Sequence, residues 1–317
     1  MLRTATAPAA RLDVRSLGTP NAICYSGYRE GQSPALERFP SVDQIREDLH
    51  LLSRHWRYLR LYDCSTHAER VLEVIHRDAL DLQCLLGAYL GPELSNPGCP
   101  WGADYTAEAL EASRRANERE RARLVRLAQD YPDIVFAVAV GNEATVDWTD
   151  HLVPVERMIE HVRWVRERVA QPVSFCENYV PWTGKLQELV PELDFLCVHT
   201  YPVWEYKTIE EALTYTQDNL RSVSERYPEK PIVISEAGWT TESNGRGILP
   251  ERASETLQAQ YYEALIQWTR AAGILTFVFE AFDEPWKGSP DPREPEKHWG
   301  LFTVDRKPKQ VMQEIFD

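Results

Sequence analysis

Glu143 and Glu236 each close an uninterrupted apolar run. The first ends IVFAVAVGNE (134–143); the second sits inside PIVISEAGW (231–239). Apolar β-formers in a row read as strands buried on both faces. Each acid is therefore carried to the end of a buried strand, where a carboxylate is costly unless paired or solvated. One such Glu reads equally well as a salt-bridged strand end or as a functional group. Two of the same design shift the balance toward a shared site. Paired carboxylates across a cleft are what glycosidic bond cleavage requires. One donates a proton to the leaving oxygen, and the other stabilises or bonds to an oxocarbenium-like carbon.

Two strand ends so distant in sequence meet only if all strands open onto one rim. The hydrophobic pattern predicts strands over 21–27, 58–63, 82–87, 134–140, 172–177, 193–201, 231–239 and 274–281. Helices alternate with them. Ser41 with Gln44, Thr66 with Glu69 and Thr208 with Glu211 read as capping boxes. Further helices are predicted over 106–130, 154–169, 185–189, 258–272 and 308–316. Its interspersed acids make the charged run 114–126 a solvated face. This alternation is that of the (β/α)8 barrel, whose active sites lie at the C-terminal ends of the strands. A doubly wound open sheet is the rival, but YSGYREG (25–31) is a poor phosphate loop. The reading is a loose arm over 1–20 and a single barrel domain over 21–317.

The 317 residues carry a net charge of −14, which argues against nucleic acid or an anionic membrane as main partner. A neutral sugar is compatible with it. Ten Trp and fourteen Tyr supply flat faces for sugar rings, although each also has a packing role open to it. The six cysteines form no metal-spaced cluster and read as buried thiols, which favours a reducing, cytoplasmic setting. No signal-like apolar run opens the chain, and no apolar stretch of about 18 residues suggests a membrane span. A processed precursor, or a domain of a longer or secreted protein, is the alternative. No cofactor is expected. His55 and His199 have no acidic or cysteine partners at metal spacing and read as hydrogen-bonded core or surface residues, so no metal is expected either.

With the strands assigned, GNE (141–143) on the fourth and SEAGW (235–239) on the seventh resemble the acid/base and nucleophile signatures of the large retaining glycosidase clan built on (β/α)8 barrels. More narrowly, the chain resembles glycoside hydrolase family 17, the β-1,3-glucanase family. RLY (60–62), YP (201–202), FDEPWK (282–287) and EKHWGLF (296–302) are similar to its motifs in the same order. The resemblance runs from about residue 22 to the end. It implies that Glu143 is the general acid/base and Glu236 the nucleophile, about 5–5.5 Å apart as retention requires. Glu143 then has to hold a proton near neutral pH, and Glu236 has to stay ionised. The resemblance makes Tyr201 the hydroxyl donor to Glu236. Asn142 is read as the partner of a sugar 2-hydroxyl. Glu284, Lys287 and Glu296 are implied as an ion network beside the acid/base, with a surface salt-bridge cluster as the alternative. Tyr62 contacts sugar or packs. Trp239 and Trp286 are stacking platforms or rim residues.

Three departures from the family stand out. Thr240 and Thr241 follow Trp239 where plant members commonly carry Pro-Ser. His199 stands where many carry Asn. The connection from Pro202 to Thr208 is short where plant endoglucanases have an insertion. This fits a shorter cleft, an exo-acting enzyme, or a transferase. The expected activity is thus retaining hydrolysis of β-1,3-glucans or oligosaccharides. A β-1,3-glucosyltransferase using the same residues is the alternative, and a silent carbohydrate-binding barrel the outlier.

Overall fold

Eight parallel strands follow one another around a closed barrel in sequence order. They are β1 (Ala22–Cys24), β2 (Tyr58–Leu61), β3 (Gln83–Ala88), β4 (Val135–Asn142), β5 (Val173–Asn178), β6 (Leu196–Thr200), β7 (Ile232–Ala237) and β8 (Thr276–Val278), with β8 pairing back to β1. Around them lie α1 (Val42–Leu52), α2 (Thr66–Arg77), α3 (Ala107–Asp130), α4 (Val155–Arg166), α5 (Tyr179–Trp182), α6 (Ile209–Arg226), α7 (Glu255–Ala272) and the short α8 (Gln310–Glu314). The structure, a computed structural model, describes residues 11–314. No helix among the described residues is long and apolar enough to cross a membrane. All six cysteines are buried free thiols.

The helices start where their caps dictate. The boxes at Ser41/Gln44 and Thr208/Glu211 are both closed, but α2 is capped one residue earlier than predicted, by Ser65. On α1, Ile45, Leu49 and Leu52 form the buried stripe that the sequence lays out. The short helix expected at 185–189 is instead α5, because Asn178 Oδ1 accepts from Val180 N and Trp182 is pulled inward to bond Cys197 O. Residues 11–20 of the predicted arm are not loose. They include a 3₁₀ turn at Val14–Leu17, and the Arg11 guanidinium donates to the carbonyls of Gln171 and Val169. Residues 1–10 lie outside the described residues.

The strands that carry the two acids are irregular just before them. Ala139 pairs with Ser174 but Asn142 with Cys176, so β4 holds one residue more than β5. Val198 pairs with Ile234 but His199 with Glu236, so β7 holds one more than β6. Such bulges re-aim side chains at barrel rims. Gly141 makes the first one possible: its φ is +93°, and a Cβ would meet Met158 Cε and the Phe175 ring at 3.0 Å. Glu143 itself has φ 44°, a left-handed conformation costing about 1–3 kcal/mol for a side-chain-bearing residue. It is held there by the hydrogen bond from its N–H to Cys176 O, at 2.9 Å.

Candidate active site

Glu236 lies at the barrel mouth, with its side chain only 7% exposed. Three groups converge on its carboxylate. Arg60, from β2 and itself almost wholly buried, donates to Oε1. The Tyr201 hydroxyl donates to Oε2, and His199 Nδ1 stands 3.5 Å from the same oxygen. Burial alone would push this carboxyl up. His199, Arg60 and the Tyr201 hydroxyl outweigh burial and hold it down at about 2. Glu236 is therefore an ionised carboxylate across the physiological range.

Glu143 is the more open of the two, its side chain 30% exposed. Its Oε1 lies 2.9 Å from His199 Nδ1, so one buried imidazole reaches both acids. Burial opposes the charge on His199, but Glu236, Cys176 and Glu143 outweigh it and raise its pKa to about 10. One oxygen from each carboxyl and a His199 nitrogen all lie within 4.8 Å of one another. A divalent ion could use that spacing, but the Arg60 guanidinium already pairs with Glu236 and His199 lies against both acids. Beneath it, the buried Glu177 accepts from Thr145 N and Oγ1, two residues beyond Glu143, and burial with the Glu143 charge raises its pKa to about 7.

Arg60 also donates to Asn142 Oδ1, which leaves the Asn142 amide nitrogen as the group able to donate outward. A cleft of about 520 Å³ opens over these residues, within the usual size of a small-molecule site.

A family model described as the BtgE/BtgC glycoside hydrolase domain matches residues 22–300. The chain belongs to the BtgE/BtgC glycoside hydrolases. It is 25% identical over 281 residues to a glucan 1,3-beta-glucosidase of Schizosaccharomyces pombe, covering 84% of this chain and 79% of that one. A glucan 1,3-beta-glucosidase of Arthroderma benhamiae is 27% identical over 190 residues, which span 56% of this chain and 61% of that protein. Among solved structures, an endo-laminarinase from Formosa Hel1_33_131 superposes with a TM-score of 0.78 at 28% identity, over 92% of this chain and 85% of that one.

In this BtgE/BtgC barrel the cleft gathers Asn142, Glu143, Tyr62, Tyr201, Glu236, Glu284, Trp286, Lys287 and Glu296 into one lining. Trp239 is the exception. It is fully buried, tilts against Tyr261 and donates to Arg252 O, so it supports the rim from behind and offers no sugar face. Trp204 and Trp286, both part-exposed, form the aromatic wall instead, with the fully buried Trp299 packed against Trp204. Trp204 was visible two residues after the Tyr201-Pro202 pair, but nothing local marks it as facing the cleft. The ion network is larger than the one implied. Lys287 Nζ pairs with Glu284 and with Glu280 at 2.8 Å, while Glu296 feels the Lys287 and Glu143 charges and has Arg246 as its direct ion partner at 3.5 Å. Burial raises the Glu280 carboxyl, as does Glu284 beside it. Tyr62 lies under the Arg60 guanidinium, 4.4 Å from its ring centre, and so both packs and lines the cleft. His199 and Arg60 are the residues whose importance sequence reasoning missed. His199 lacks an acidic neighbour in sequence and gains two only through strand register.

Proposed function

We propose that the protein is a retaining β-1,3-glucan-active glycosidase in which Glu143 is the general acid/base and Glu236 the nucleophile. The observation that carries this is the approach of the two carboxyls to within 4.8 Å. Retaining enzymes hold them about 5–5.5 Å apart, and inverting ones need about 6.5–9.5 Å to admit a water. The substrate class draws support from the names of the relatives above. In the first step Glu143 gives its proton to the glycosidic oxygen as Glu236 attacks the anomeric carbon from the opposite face. The leaving sugar departs and a glycosyl ester of Glu236 remains. In the second step Glu143 takes the proton from an incoming hydroxyl, which displaces Glu236 and restores the starting anomer. Asn142 donates to the 2-hydroxyl, and the Tyr201 hydroxyl and Arg60 keep Glu236 ionised until it bonds. The short connection at Pro202–Glu205, where plant endoglucanases have an insertion, makes transfer of the glycosyl unit to a sugar the second reading.

Incubation with β-1,3-, β-1,4- and β-1,6-linked oligosaccharides tests this. Cleavage of the β-1,3 series alone, with the β-anomer appearing first by NMR, is the expected result. Appearance of the α-anomer first overturns the nucleophile assignment, and products longer than the substrate select transfer over hydrolysis.

Arg60 supplies a second test. Arg60→Met keeps much of the side-chain bulk and removes the charge. Burial of Glu236 is then opposed by fewer partners, so its pKa rises. Because Glu236 acts as the anion, activity is lost as pH falls through that pKa. The acid limb of kcat/KM is expected to move upward by about 1–3 pH units. An acid limb left in place contradicts the role given to Arg60.

A further inference from the structure

Glu143 leaves β4 through a peptide that is held on both sides. Its N–H, on Glu143, donates to Cys176 O of β5 at 2.9 Å. Its carbonyl, on Asn142, faces His151 Nε2 at 2.9 Å. A carbonyl oxygen only accepts, so this contact calls for a proton on Nε2. The peptide needs such holding. Gly141 before it has φ +93° and Glu143 after it φ 44°. A side-chain-bearing residue persists in that region only where its surroundings over-determine it.

His151 is itself firmly placed, with its side chain 14% exposed. Its Nδ1 lies 2.7 Å from Asp150 Oδ1, with the Tyr89 and Thr149 hydroxyls at 3.0 and 3.1 Å. With Nδ1 set against a carboxylate, the ring orientation is fixed and Nε2 is aimed at the strand end. The connection that carries His151, between β4 and α4, closes on itself where Val153 N donates to Ala144 O at 2.8 Å. The β3–α3 connection pins it from the other side. Asn96 Nδ2 donates to the carbonyls of Asp147 and Thr149, and the Tyr105 hydroxyl donates to that of Asp150.

Tyr89 joins this support to the cleft. It lines the cleft with Asn142 and Glu143, and its ring packs against the His151 ring with centres 4.8 Å apart. The groups that hold Glu236 are a separate set. Arg60 comes from β2, and His199 and Tyr201 from the end of β6 and the residue after it. A loss at His151 is therefore directed at the acid/base and not at the nucleophile.

We propose that His151, oriented by Asp150 and backed by Tyr89, is a positioning residue for Glu143. Its Nε2–H clamps the Asn142 carbonyl and so fixes the strained turn from which the acid/base projects, a role that rests on the functional reading above. Three variants test it. His151→Ala removes the donor, His151→Leu fills the space without one, and His151→Gln restores an N–H. On β-1,3-gluco-oligosaccharides the first two are expected to lower kcat about 10- to 100-fold with KM within about twofold, the scale of a proton donor misplaced by about 1 Å. His151→Gln is expected to recover kcat to within about threefold of wild type. Single-turnover release of an acidic phenol from an aryl β-glycoside, with enzyme in excess, reads the first step where no proton has to be given. That rate is expected to stay within about twofold of wild type in all three variants. A general slackening of the barrel rim displaces Glu236 as well and slows phenol release in parallel. Such a parallel loss, unchanged kcat on oligosaccharides in His151→Ala and His151→Leu, or His151→Gln no faster than His151→Leu, overturns the clamp while the active wild type keeps the functional reading. Wild type that cleaves no β-1,3-gluco-oligosaccharide overturns the functional reading and the clamp with it.

Discussion

Glu236→Ala is expected to lower kcat by about 10⁴-fold or more, the scale seen when a nucleophile is removed from a site whose parts act as a unit. The geometry adds a sharper expectation. Removal of the carboxylate leaves the Arg60 guanidinium and the charged His199 facing the space it occupied. That space favours a small anion. Added azide or formate is expected to restore turnover on an aryl glycoside by attacking the anomeric carbon where Glu236 did. With no second displacement, the product carries the inverted anomer. Loss of one partner from a buried charge pair costs about 3–5 kcal/mol, so a thermal melt accompanies the assay. Glu236→Gln, which keeps an oxygen for the Tyr201 hydroxyl, serves as the gentler control. Unchanged turnover in either variant, or rescue with retention, would falsify the nucleophile assignment.

Glu143→Ala is expected to cost about 10²–10⁴-fold with a sugar leaving group, the usual contribution of a positioned acid or base. The loss depends on what leaves. An acidic phenol departs without protonation, so the first step is expected to survive with an aryl glycoside while the second stalls. Azide then intercepts the glycosyl ester without a general base, and its product keeps the original anomer. The two rescues thus have opposite stereochemistry, which separates the two carboxylates although they are within 4.8 Å of one another. Equal losses on sugar and aryl leaving groups would remove Glu143 from the acid role.

Much of the fold was legible because buried parallel strands advertise themselves. IVFAVAV (134–140) and PIVI (231–234) have no polar face to confuse the period, and they end where β4 and β7 end, within a few residues. Capping chemistry located α1 and α6 for a similar reason, since a Ser or Thr followed by Gln or Glu three residues on satisfies local donors with local atoms. The error at 185–189 has the opposite origin. There a tertiary contact, Trp182 against the barrel, decides which turn becomes helical. Trp239 misled because an aromatic beside a strand-end acid has two sides to face, and the chain turns it toward α7.

The sequence by itself determined the number and order of the strands, the two carboxylates that end the fourth and seventh, and the motifs from Arg60 to Phe302. All of these are properties of a residue and its near neighbours. Tertiary structure alone decided what stands around those carboxylates. His199 becomes the shared partner of both acids because one extra residue in β7 sets it opposite Glu236. Arg60 reaches Glu236 and Asn142 because barrel closure points β2, β4 and β7 at one axis. Trp204 replaces Trp239 as a wall, and Glu280 joins Glu284 as a direct ion partner of Lys287. Strand register, bulges and closure are cooperative outcomes of the whole chain, and no window of sequence contains them.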